Sequence, residues 1–247
     1  MSQTIWTVDA LSSELAPYDG TGWRVVEAQH QISTQKLVDT LDEQQLLEEM
    51  LDEVKPQVPE ACAHLHFLLF TPFRYKPYPH ASRFRRAGMT PGVFYASERV
   101  ETAMAETVFY RYLFFSESPD TPFPTNALIH TAFAVALKTA KMLDLMSDPL
   151  AQDAELWASK QDYNACLDLS DKAREAQAEI IHYQSVRDPK SGANLAVLEP
   201  VAFASPEPIA HQTWHIHIRP DVAQAICSFP ALSLEFRKGD FDDDRLN

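Results

Sequence analysis

Val93-Phe94-Tyr95-Ala96-Ser97, with Glu101-Thr102-Ala103-Met104-Ala105-Glu106 close behind, is the stretch that decides the fold. An apolar, aromatic run gives way at Ser97 to residues of high helix propensity. The segment therefore predicts a short strand over 93–96, an N-cap at Ser97 and a helix from Glu98 to about Phe114. On that helix Val100, Ala103, Met104, Thr107 and Val108 form one stripe. Glu106 falls at the stripe's border, where a carboxylate overlooks a cleft.

Upstream, residues 34–54 predict an acidic amphipathic helix, with Leu47, Met50, Leu51 and Val54 at helical spacing, ended by Pro56 and Pro59. The apolar run His64 to Phe73 predicts a buried strand leading into an arginine- and aromatic-rich loop that reaches Arg86. Downstream, 128–137 and 141–145 predict two strands, and Tyr163 to Ala178 a helix. Strands follow over 180–185, 194–198 and 211–218, with a polar turn at 187–192. Strands and helices interleave without regular βαβ units. This pattern predicts an α+β fold: a single domain with a mixed β-sheet core flanked by helices. The last residues, from Asp240, are expected to form a short acidic tail.

Composition narrows the function. The chain has 247 residues and a net charge of −14, from 21 Lys+Arg against 35 Asp+Glu. That balance argues against direct nucleic-acid binding, which relies on cationic side chains. A local cluster at Arg83, Arg85 and Arg86 remains available for a small anion. Six glycines in 247 residues leave neither a dinucleotide-binding glycine fingerprint nor a P-loop. Cys62, Cys166 and Cys227 are far apart, which suits a reduced cytoplasmic protein and offers no cysteine zinc site. Cys166, beside Leu169 and Ala173, reads as core filler. His64-x-His66 and His215-x-His217 each put two imidazoles on one face of an expected strand, but no third ligand accompanies them, so no metal is expected. Neither a signal peptide nor a membrane span is expected.

Four local patterns together resemble the RES-domain family. They are Trp23 to Glu27; Ser82-Arg83-Phe84 with Gly88 and Val93 to Ser97; Glu101 to Glu106; and His182-Tyr183-Gln184-Ser185-Val186-Arg187 with Asn194-Leu195-Ala196-Val197. They occur in the family's order. Thr71-Pro72-Phe73-Arg74-Tyr75 and the acidic helix resemble the longer, ParT-like subgroup. The resemblance implies a toxin of a bacterial toxin–antitoxin pair, with a fold like that of ADP-ribosyltransferases. Such toxins consume NAD by hydrolysis, phosphorolysis or ADP-ribosyl transfer and arrest growth. It also implies an N-terminal segment over 1–22, a catalytic domain over 23–205, and a C-terminal extension over 206–247 packed on the same domain.

Chemistry assigns the expected roles. Cleaving the nicotinamide–ribose bond expels a neutral leaving group, so the main demand is stabilising an oxocarbenium-like ribose. A fixed carboxylate does this, and Glu106 is the candidate. The diphosphate favours arginine over lysine: Arg83 and Arg24 match the family positions, with Arg74 a second choice. Tyr95 offers a face to nicotinamide, Ser185 a hydrogen bond to the ribose or amide, and Asn194 completes the motif. Arg187 is expected to pair with Asp188 across a turn. NAD is thus expected as substrate, with no metal. The expected partners are a cognate antitoxin (Xre- or ParS-like) occluding the cleft near Arg24, Arg83 and Glu106, and a possible protein acceptor of ADP-ribose. The alternative is a catalytically silent RES-like protein acting only as a protein-binding module. It would be expected to lack the acid or the arginines, and both are present.

Overall fold

The computed structural model describes residues 6–28, 37–75 and 78–246. Eight strands make one mixed sheet: β1 Ala16–Glu27, β2 Phe94–Ser97, β3 Leu128–Asp144, β4 Ile180–Gln184, β5 Ala193–Val197, β6 Ala210–Ile218, β7 Val222–Cys227 and β8 Leu232–Arg237. Their order is β1-β2-β5-β4-β3-β6-β7-β8, and β1 also pairs with β3, so the first five strands close on themselves. Only β3 and β4 run parallel.

β3 organises the molecule. One side pairs with β1, from Ala16↔Met142 to Glu27↔His130. Its other side is shared, Leu128 to Ala134 with β6 and Met142 to Asp144 with β4. Two strands were expected over 128–145, yet one continuous strand forms. The polar break at Lys138 is a cross-strand pair: its Nζ lies 2.7 Å from Asp19 on β1. Continued pairing to β1 overrides the interruption in hydrophobicity.

Helices cover both faces: α1 Val8–Ser13, α2 Leu41–Glu53, α3 Phe67–Arg74, α4 Val100–Glu117, α5 Ala154–Trp157 and α6 Asn164–Glu175. α4 buries Met104, Val108, Phe109 and Tyr112 against Trp214 and Ile216 of β6 and against Phe241. On another face α1 and α6 bring Leu11, Cys166, Leu169 and Ala173 to Leu143 and Ile181. α3 packs Leu69 among Phe94, Phe133 and Leu137. This architecture is the expected α+β domain.

Several local expectations are corrected. The run His64 to Phe73 is not a strand. A 3-10 turn at Glu60–Cys62 precedes it, and most of the run forms α3, whose N-terminus is capped by His66 Nδ1 accepting from the Leu68 N–H at 3.2 Å. Leu65, Leu69 and Pro72 are buried at helical spacing, and His64 and His66 are therefore not a one-face strand pair. On β6 His215 and His217 do share the exposed face. Ser97 ends β2 rather than capping a helix, and α4 starts three residues later. The acidic helix forms, but its expected stripe is not buried: Met50 and Val54 are more than half exposed, Leu51 is exposed and Leu47 is half-buried. It rests instead on a capping box, in which Glu43 accepts from the Asp39 and Thr40 N–H groups and Thr40 Oγ1 accepts from that of Glu43. Its expected start at 34 lies outside the described residues. From Lys238 onward the acidic segment docks in two 3-10 turns that bury Phe241 and Leu246.

Candidate active site

The wall of the closed sheet is thinnest where β1 meets β2, at the single pairing Trp23↔Ser97. A cavity of about 450 Å³ opens there, between that seam, α4 and the start of α6. This is the size of a small-molecule site. Arg24, Arg83, Tyr95, Glu106 and Asn194 all line it.

Glu106 projects from α4, and its Oε1 accepts two hydrogen bonds, from Ser185 Oγ at 2.6 Å and from Asn194 Nδ2 at 2.7 Å. Both donors are themselves fixed. Ser185 follows β4 and is 1% exposed; its hydroxyl accepts from the Arg187 N–H at 3.2 Å and the Asp188 N–H at 2.9 Å. Those two bonds leave its proton to Glu106. Asn194, on β5, accepts at Oδ1 from Ser97 Oγ at 2.6 Å, which sets its amide with nitrogen toward the carboxylate. Glu106 Oε2 makes no hydrogen bond among the described residues, so the oriented carboxylate keeps one oxygen for a ligand.

Arg24 has a different character. Its guanidinium lies 4.9 Å from the Phe94 ring centroid and donates to the Tyr95 carbonyl at 3.3 Å. No carboxylate pairs with it among the described residues. Burial lowers it to about 10, with Tyr78 and Tyr95 opposing, so it is a cation at neutral pH. A desolvated arginine without a counter-ion favours an anionic ligand.

Arg83 is 7% exposed and doubles as scaffold. Its Nη1 donates to the Trp157 carbonyl at 2.6 Å and its Nη2 to that of Ser159 at 2.9 Å, while the guanidinium lies 4.6 Å from the Tyr163 ring centroid. The Tyr95 hydroxyl accepts from the Phe84 N–H at 3.1 Å and shares a hydrogen bond with Ser82 Oγ at 2.9 Å, which fixes the ring in the wall.

Arg74 does not join this group. It ends α3, donates from Nε to the Pro56 carbonyl at 2.6 Å and leans on Phe70, away from the cavity. Arg187 does not pair with Asp188, whose Oδ2 instead accepts from Thr102 Oγ1 at 2.8 Å. The Arg187 side chain lines the cavity and pairs with Asp243.

Three kinds of residue escaped the sequence. Ser97 stands in the 93–97 run but reads there only as a helix cap, not as the partner of Asn194. Tyr110, Tyr163 and Tyr183 also line the cavity; of the three only Tyr183 stands in one of the family-like patterns, and none carries an expected role. Desolvation of its ring within the cavity and the Glu106 charge push Tyr110 up to about 12, although the residue is 54% exposed, so it stays a neutral hydrogen-bond donor. Arg245, near the C-terminus, also lines the cavity, and nothing local announces it. The cavity thus presents four arginines and one carboxylate in a chain of net charge −14.

Among the described residues no group of three or more His, Cys, Asp or Glu side chains is placed to hold a metal ion. Nor is any helix there long and apolar enough to cross a membrane. No curated protein matches the chain. Among solved structures, the crystal structure of the M. tuberculosis MbcT-MbcA toxin–antitoxin complex is similar at 12% identity and a TM-score of 0.49, over 83% of this chain and 89% of that one. The model of the RES domain matches residues 58–218. That span includes Arg83, Glu106, Ser185 and Asn194 and leaves Arg24 outside. It covers well over half of the sequence, and the chain belongs to the RES-domain family.

Proposed function

We propose that this protein is the toxin of a toxin–antitoxin pair and that it cleaves the nicotinamide–ribose bond of NAD. The observation that carries the proposal is the Glu106 carboxylate, held by Ser185 and Asn194 with one oxygen open to a cavity whose other charged lining residues are four arginines. Such a site matches both demands of the substrate: planar cations for the diphosphate and a fixed anion for the ribose as positive charge develops. Membership of the RES family supports the toxin assignment.

In this reading Arg24 takes the diphosphate, because it has no counter-ion to give up. Arg83, already donating to two carbonyls, shapes the wall and adds positive potential. Glu106 Oε2 faces the reacting ribose, while Ser185 and Asn194 keep the carboxylate from rotating away. Leaving-group protonation is unnecessary, since nicotinamide departs neutral. Tyr95 and Tyr110 line the remaining surface with aromatic faces. A cognate antitoxin blocks this cavity in the resting cell.

The test is release of nicotinamide from NAD by the purified chain, freed of any antitoxin. Wild type is expected to release it, and Glu106→Gln to do so at least about a hundredfold more slowly. Labelled protein in an extract would assign transfer; free ADP-ribose or its phosphate would assign hydrolysis or phosphorolysis. No release by folded wild-type protein would overturn the enzymatic reading and leave the protein-binding module.

A further inference from the structure

The C-terminal segment, beyond the residues matched by the family, enters the cavity described above. Arg245 lines that cavity, and its side chain is 30% exposed. Asp243 lies two residues earlier with no side-chain exposure. Arg245 grips it bidentately, Nε to Oδ1 at 2.9 Å and Nη2 to Oδ2 at 2.9 Å. The same Oδ2 accepts from Arg187 Nη1. Nη2 of each arginine also points to the Lys160 carbonyl, at 3.5 Å for Arg245. Both guanidinium groups lie near the Phe109 ring, 4.3 Å from its centroid for Arg187 and 5.4 Å for Arg245. Two arginines therefore converge on one buried carboxylate, leaving a net charge of +1.

The bidentate grip leaves Arg245 Nη1 without a partner among the described residues. Held by its other edge, a planar guanidinium needs little further ordering to bind an anion. Arg187 belongs to the same unit and is tied by its backbone N–H to Ser185, which orients Glu106.

We propose that Arg245 is an anion-binding residue of the cavity, positioned with Arg187 by Asp243, so that the C-terminal segment completes the substrate site. This inference rests on the NAD reading and names the diphosphate-bearing part of the substrate as the group Arg245 contacts. Arg245 and Arg24 approach the cavity from different elements, which suits a ligand carrying more than one negative charge.

The experiment measures binding of ADP-ribose to the full-length chain by calorimetry, with KM and kcat for nicotinamide release from NAD alongside. Arg245→Gln keeps a donor for Asp243 and removes the charge. It is expected to weaken ADP-ribose binding about tenfold and to raise KM more than it lowers kcat. Arg245→Lys restores part of the affinity, because charge returns without the fork. Melting temperatures of all three proteins should agree within a few degrees. Wild-type affinity in both variants would overturn the inference while leaving the NAD reading intact. Wild-type protein that neither binds ADP-ribose nor releases nicotinamide would overturn the NAD reading and the inference with it.

Discussion

Ser185 makes three hydrogen bonds through one buried oxygen, and each does a different job. It donates to Glu106, which orients the carboxylate. It accepts from the N–H groups of Arg187 and Asp188, which shape the turn after β4. Ser185→Ala removes all three and leaves the buried Arg187 N–H and the part-buried Asp188 N–H without this acceptor. The expected costs are about 1–3 kcal/mol of stability and a fall of about tenfold or more in kcat, with KM for NAD nearly unchanged. Denaturant titration and steady-state nicotinamide release measure the two separately. Loss of stability without loss of kcat would make Ser185 purely structural. That Glu106, Ser185 and Asn194 meet was expected from the family patterns they stand in, and the structure does bring the three side chains together. Arg187 was misjudged because its partner is not the adjacent Asp188 but Asp243, 56 positions along the chain. Arg74 was misjudged for the opposite reason: an arginine in an aromatic loop looks available until Pro56 claims it.

The elements bear the same lesson in backbone terms. β2 was readable from its aromatic alternation, and α4 from its propensity; their junction was not, because Ser97 bonds Asn194 across the sheet instead of the helix start. The apolar run at 64–73 is too short for periodicity alone to separate strand from helix. What settles it is tertiary: α3 must lie beside the approach to β2. Gly92 records how tightly. A Cβ there would stand 1.6 Å from the Pro72 carbonyl oxygen, which is backbone and cannot step aside as a side chain can. Gly92→Ala must therefore separate α3 from the residues leading into β2, where Phe94 meets Phe133 and Phe203 edge-on at 6.2 and 5.1 Å between ring centroids. The substitution is expected to cost about 3 kcal/mol or more, placing it in the severe tail of single changes. Gly88→Ala is the control, although its φ of +64° adds strain, since no atom lies within 4 Å of an added Cβ. Its expected cost is nearer 1 kcal/mol. Equal losses in thermal melts of the two variants would refute the close-approach argument.

Across the whole molecule, charge is distributed against its own average. An acidic chain surrounds a cavity with four arginines, and the last nine described residues help to hold two of them. The C-terminal segment docks through Phe241, which lies edge-on to Phe109 and Tyr112 at 5.8 and 6.1 Å, and through the buried Asp243. That closure has a pH signature. The Arg245 hydrogen bonds, aided by the charges of Arg245 and Arg187, hold the Asp243 carboxyl down to about 2, below the ordinary aspartate value near 3.8. A depressed carboxyl stabilises the fold fully above its unfolded value, and the contribution fades as pH falls through the folded one. The window is therefore about pH 4 down to pH 2, and the contribution is about 2 kcal/mol. Other carboxylates titrate in the same range, so the informative quantity is the difference in unfolding free energy between wild type and Asp243→Asn. It should be constant from pH 7 to about pH 5 and shrink as the solution is acidified towards pH 2, because distant groups cancel in the difference. Arg187→Lys should narrow the wild-type-to-Asn gap at neutral pH, since it removes one planar donor from the carboxylate. A gap unchanged by acid would mean that Asp243 does not bear the charge linking the C-terminal segment to the cavity.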